Sequence, residues 1–222
     1  AQALVDAMGD KGNIFMLIAD GVNLTASIGS EGMMVVDTGS AAMSDKVLAA
    51  LAQLATATSA ASARNTCIGV NCSGTWGWSS PYINNVISSP TPPKPIRFIV
   101  DTNGSPDHVG GNEKLAATGR FQRGGEFGGI VASVGNKASI IAHENVLNRM
   151  SALAGKQSPV PSDAWPSDTY FPEEKDFFFN EEAVMLYHDP AAHTDGDTIV
   201  FFRRSDVVVA GGIVSTTGYP VI

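Results

Sequence analysis

Residues 96–112 read IRFIVDTNGSPDHVGGN. The apolar run Ile96–Val100 has the length and branching of a buried strand. The segment after it carries the pair Asp107–His108 and then Gly110-Gly111. Carboxylate and imidazole are metal ligands, and loops at strand ends are where such groups gather. The positions ahead of the pair hold Asn103 and Ser105, where a metal site would want histidines. Neutral amides and hydroxyls hold zinc poorly beside imidazole, thiolate and carboxylate. The stretch therefore reads either as a working metal site or as one that has lost its ligands.

Working outward, NIFMLIA (13–19) and MMVVDTGS (33–40) predict two more buried strands, and Val22–Ile28 folds back on the first through a turn at Asp20-Gly21. Met43, Val47, Leu48, Leu51 and Leu54 recur at helical spacing over 41–56, with Ser40 and Ser44 both suited to the N-cap. Residues 57–95 read as a long Ser/Gly/Pro-rich insertion loop with Trp76 and Trp78 inside it. A loop of that length is functional or an interface, or its aromatic rings pack it onto its own domain. GNEKLAATG (111–119) predicts a short helix stopped by Gly119, and ASIIAHENVLNRM (138–150) a strand followed by a helix starting near His143. Residues 155–176 read as a Pro- and Ser-rich connection. Strands follow at EEAVMLYHDP (181–190), DTIVFFRR (197–204) and DVVVAGGIV (206–214). Strands alternating with helices and then strands alone predict a layered α/β architecture.

Composition narrows the partners. The 222 residues are 44% hydrophobic and 16% charged, with a net charge of −8. An acidic chain argues against nucleic acid, which requires clustered Lys and Arg, and against anionic membrane surfaces. No apolar stretch approaches the ~20 residues of a spanning helix. Cys67 and Cys72, with four residues between them, read as a local disulfide, with two free thiols as the alternative. A disulfide would place the protein in an oxidising compartment: secreted, periplasmic or extracellular. The start at Ala1-Gln2 fits a chain trimmed after a signal peptide and fits any shortened chain equally.

Four blocks, in order, resemble the metallo-β-lactamase fold: MMVVDTGS, FIVDTNGSPDHVGGN, IIAHENVLNRM and AAHTDGDTIVFFRRSDVVVAGG. The resemblance spans most of the chain. It implies one domain over 1–222, an αββα sandwich of two mixed sheets flanked by helices, short of its C-terminal part. It also implies a cleft where two zinc ions share a bridging hydroxide, held by His-x-His-x-Asp-His, a later His, a bridging Asp and a last His. Carried over by position, Asp107, His108 and His193 match ligands. Asn103, Ser105 and Gly212 stand where the first His, the second His and the bridging Asp belong.

Three functions follow as expectations. The first is a non-catalytic structural or interaction subunit without a cofactor, acting as a homo-oligomer or with a protein partner that covers the incomplete edge. The second is a hydrolase of a small ester, lactone, lactam or thioester. It would use a single divalent metal, zinc by preference, on Asp107, His108 and His193, with Asp107 orienting water. The third is a small-molecule binding module with the Trp76/Trp78 loop as lid. Asp37-Thr38-Gly39 invites an aspartic-protease reading, but no second such turn exists, so Asp37 reads as a buried turn carboxylate. His143 reads as structural and His188 as a surface or capping histidine. Gly110-Gly111 lacks the lysine of a phosphate loop.

Overall fold

The computed structural model describes residues 6–7, 13–64, 94–119, 137–155 and 158–214. Its larger sheet runs in chain order through β1 (Asp6–Ala7), β2 (Ile14–Ala19), β3 (Val22–Gly29), β4 (Gly32–Val36), β5 (Ile96–Val100), β6 (Ser139–His143) and β7 (Asp168–Tyr170). Pairing is antiparallel up to β4 and parallel from β4 to β7. The turn between β2 and β3 falls at Asp20-Gly21, both at positive φ (55° and 86°), which matches the twist of a two-residue hairpin. The smaller sheet, in the order β11-β10-β9-β8, contains β8 (Glu174–Phe179), β9 (Glu182–Asp189), β10 (Asp197–Phe202) and β11 (Val207–Val209). It is antiparallel throughout, so the mixed character expected of both sheets is carried by the larger one.

The helices are α1 (Ser44–Arg64), α2 (Pro106–Val109), α3 (Asn112–Thr118) and α4 (Glu144–Ser151). β4 shows why the layers form. All five of its residues are buried, because alternate side chains enter two different cores. Met33 and Val35 meet Val47, Leu51 and Leu54 of α1, with Leu115 of α3 in the same cluster. Met34 and Val36 face Phe179, Val184, Leu186, Val200 and Phe202 of the smaller sheet. Val146 and Met150 of α4 form a third cluster with Val109 and Ala142. The outward side of the smaller sheet is uncovered among the described residues: Phe178 is 68% and Val208 61% exposed.

Several expectations need correction. Helix α1 continues to Arg64, so residues 57–64 are helical rather than loop. A single-turn 3-10 segment at Ala41–Met43 precedes it, with Ser40 as cap and Ser44 opening the α-helix, so both serines mark a boundary. The 155–176 connection contains β7 and the start of β8. Its signal was weak because β7 is three residues long and β8 alternates acidic residues with Lys and Phe. The last strand stops at Val209, and Gly211–Ile213 form a 3-10 turn. Cys67, Cys72, Trp76 and Trp78 lie outside the described residues. Among those described, no helix is long and apolar enough to cross a membrane.

Candidate functional site

The parallel strands β4 and β5 end side by side, and their exits build the floor of a cleft. Asp37 leaves β4 at φ 61° and donates its N–H to Val100 O (2.9 Å). Its carboxylate is fully buried and accepts three donors: Thr102 N–H (2.8 Å), Thr102 Oγ1–H (2.8 Å) and His108 Nδ1 (2.8 Å). A buried carboxylate survives only when hydrogen-bonded in this way. Because Nδ1 serves Asp37, the opposite ring nitrogen, Nε2, is the one presented to the cleft. Burial pulls the His108 pKa down, but the hydrogen bond and charge of Asp37, with Asp107 and Asp101 adding, leave it above the ordinary histidine value. Asp37 is thus the buried turn carboxylate expected from the sequence, and it also orients His108, a role the sequence reading missed. The signal was available: two strands that pair in parallel bring Asp37 and Thr102 together.

A second layer locks the loop. Thr38 Oγ1 donates to Asn112 Oδ1 (2.8 Å), and Asn112 Nδ2 donates to Asp101 Oδ2 (2.8 Å) and Ala164 O (3.1 Å). Burial raises the Asp101 pKa well above its ordinary value, and the Asn112 hydrogen bond opposes the rise. Gly110 and Gly111 have a packing reason rather than a phosphate-binding one. A Cβ on Gly110 would lie 2.6 Å from Ala41 N, and one on Gly111 would lie 2.7 Å from Thr38 O.

The far wall comes from the smaller sheet. Thr198 N–H donates to Thr102 O (2.8 Å), tying the start of β10 to the loop after β5. Asp197 accepts from Thr194 N–H and Thr194 Oγ1–H, which shapes the loop holding His193. The turn after β11 lies directly on the floor. A methyl placed on Gly212 would stand 3.0 Å from Asn103 Nδ2, 3.4 Å from His193 Cδ2 and 3.7 Å from His108 Nε2. Four of the positions singled out in the sequence, Asn103, His108, His193 and Gly212, therefore converge. Asp107 sits exposed at the rim with Oδ2 3.9 Å from His108 Nε2, and Ser105 forms the N-cap of α2.

This donor set does not fit a two-metal centre. Asn103 Oδ1 accepts Ser105 N–H at 2.8 Å, which fixes the amide orientation and turns Nδ2 toward Gly212. Nδ2 is buried without a hydrogen-bond partner among the described residues. An N–H donor aimed into the cleft repels a cation, and Gly212 offers no carboxylate to answer it. Among the described residues, no group of three or more His, Cys, Asp or Glu side chains is placed to hold a metal ion.

Beside the cleft, His143 ends β6 and caps α4, accepting Asn145 N–H on Nδ1 at 3.3 Å. Its ring stacks on His188 at 3.5 Å and 8°, and meets the Tyr170 ring edge-on at 5.3 Å. The structural role expected for His143 is this cap.

No family model and no curated protein matches the sequence. Solved structures do. A metallo-β-lactamase with a HARLDQ motif from Cronobacter sakazakii is 16% identical with a TM-score of 0.53, over 95% of this chain and 63% of that one. MIM-1 from Novosphingobium pentaromativorans is 14% identical at 0.52, over 95% and 63%. BJP-1, a subclass B3 metallo-β-lactamase of Bradyrhizobium japonicum, is 15% identical at 0.51, over 86% and 54%. Against His-x-His-x-Asp-His, the letters HARLDQ differ at the third and sixth places, whereas NGSPDH (103–108) differs at the first and third. The chain spans 54–63% of the length of these three proteins, and at such identities the likeness is one of fold. Strand order, the two-sheet core and these neighbours together establish that the chain has the metallo-β-lactamase fold.

Proposed function

We propose that this chain is a non-catalytic bearer of the metallo-β-lactamase fold, acting as a structural or interaction subunit. One observation carries the reading: the buried Asn103 Nδ2, aimed at Gly212 between His108 and His193, where a cation would need a ligand. The residues of the former cleft serve as a polar cross-link. Asp37, Thr102 and His108 join two strand exits, and Thr198 ties the smaller sheet to them. The uncovered apolar face around Phe178 and Val208 supports the interaction part, since exposed patches of this kind mark contact surfaces. The partner is a second copy or another protein, and the compartment is extracytoplasmic if Cys67 and Cys72 pair.

The test is an assay against small esters, lactones, β-lactams and thioesters with zinc supplied. No turnover above the protein-free rate is expected. Hydrolysis that disappears in His108→Ala would overturn the reading. Sedimentation examines the partner: a species heavier than the 23.1 kDa of one chain is expected for self-association, and a strict monomer excludes a homo-oligomer.

A second reading, a hydrolase on a single metal, has one observation in its favour. Asp37 holds His108 so that Nε2 faces the cleft with Asp107 at the rim, the arrangement a lone metal ligand would need. It requires His193 to swing in beside them.

A further inference from the structure

His143 does two jobs that depend on one protonation state. Nδ1 must carry a lone pair to accept Asn145 N–H, and the ring also hydrogen-bonds the backbone of Phe171. His143 is only 4% exposed, and its nearly parallel neighbour is another imidazole. His188 Nε2–H in turn donates to the carbonyl of Asp195 (2.9 Å). The same residue is gripped by the helix that His143 caps: Asn145 Nδ2 donates to Asp195 O (2.7 Å), and Arg149 Nε donates to Asp195 Oδ1 (2.6 Å). Thus the cap, the stacked pair and the loop carrying His193 meet at Asp195.

We propose that His143 and His188 form an acid-sensitive latch on the 193–197 loop. Protonation of His143 Nδ1 consumes the lone pair that caps α4 and leaves Asn145 N–H without its acceptor. The added proton also places a positive charge face to face with the His188 ring, which opposes it. Fraying of the first turn of α4 releases Asn145, and with it one of the helix's two holds on Asp195. The charged and titratable groups facing the pair are His188 from β9, Tyr170 from β7, Glu144 and Arg149 from α4, and Asp195 from the loop. Lys175 of β8 lies behind, 6.0 Å from the Tyr170 ring centre. Glu144 and Asp195 favour the proton, but burial and His188 oppose it more strongly, and the His143 pKa lies below the ordinary histidine value. The latch is therefore closed at neutral pH and opens on acidification. It does not depend on whether the cleft holds metal.

The test is amide hydrogen exchange on the full chain, corrected for the intrinsic rate at each pH. Protection at Asn145 and across 194–197 is expected to fall as the pH drops from about 7 to about 5. In His143→Asn, which keeps a capping side chain but does not titrate, protection should be independent of pH. In His188→Phe, which keeps a stacked ring but removes the donor to Asp195 O, protection across 194–197 should be lower at every pH. Flat protection in the wild type, or an unchanged fall in His143→Asn, would overturn the latch. Side-chain NMR of the wild type decides the matter should the variant fail to fold: a His143 that titrates at or above the ordinary value ends the proposal.

Discussion

Two histidines at the same end of the molecule have opposite surroundings. His108 rests on a buried carboxylate, Asp37, and its pKa is raised. His143 rests on another histidine and a helix cap, and its pKa is lowered. Both are nearly buried, so burial alone does not separate them. The difference lies in what each partner asks of the ring: Asp37 wants a donor and rewards charge, whereas Asn145 N–H wants an acceptor and penalises it. The cleft floor is an internal hydrogen-bond network in which Asn103 Nδ2 and Asp101 Oδ1 are buried without a partner among the described residues. The neighbouring pair has become a part that responds to acid.

The largest effect is expected where the network is anchored. Asp37→Ala strands Thr102 and His108 together, and should cost about 3–5 kcal/mol in chemical denaturation, as breaking a buried charged pair does. A loss under about 1 kcal/mol would mean that the network contributes little.

The second expectation sets the histidines against each other in pH. For His108 the folded pKa exceeds the unfolded value, so its stabilisation is present below about pH 6.5 and is lost as pH rises through the folded pKa. For His143 the folded pKa is the lower one, so the unfolded chain binds more protons and stability falls as pH drops below about 6.5. Across pH 5–8 the two contributions oppose each other. Relative to wild type, His108→Gln should turn the pH slope toward weakening in acid, and His143→Asn should turn it toward weakening in alkali. Each slope is bounded by about 1.4 kcal/mol per pH unit. Denaturation midpoints of wild type and the two variants against pH would show it, and slope changes of the same sign from wild type would break the comparison.

The smallest effect is expected at the flaw in the network. Asn103→Leu removes an unanswered buried donor along with the bond to Ser105 N–H. These changes nearly cancel, leaving stability within about 1 kcal/mol of wild type. A loss of about 3 kcal/mol would show that Nδ2 has a partner after all. A complementary variant, Asn103→His with Ser105→His and Gly212→Asp, restores imidazole and carboxylate donors. It should take up about one equivalent of zinc or more in a titration, and failure would mean that the scaffold as well as the side chains has changed.

Much of this was legible in the sequence because the informative residues are consecutive. Continuous apolar runs marked β2, β4 and β5, and Gly119 marked the end of α3; a Cβ there would meet Ile96 O at 2.5 Å. The loops bearing Asn103, His108, His193 and Gly212 were placed in order, and they do converge. What stayed hidden was pairwise. Nothing in the local pattern says that Asp37 reaches a histidine 71 positions later, or that His143 stacks on His188. Short polar strands such as β7 were missed because three residues carry too little periodicity to oppose their Pro- and Ser-rich flanks. Helix α1 outran its expected end because Ala and Thr residues let the helix continue past its last buried leucine, Leu54.

The central claim, that the cleft has exchanged metal binding for an internal network, is tested most directly by elemental mass spectrometry. The sample is the 222-residue chain purified without added metal or chelator, then offered zinc and dialysed. Zinc, iron and manganese together well below one equivalent per chain are expected. About one equivalent or more that survives dialysis and is lost in His108→Ala would contradict the account and make the single-metal hydrolase the reading to pursue.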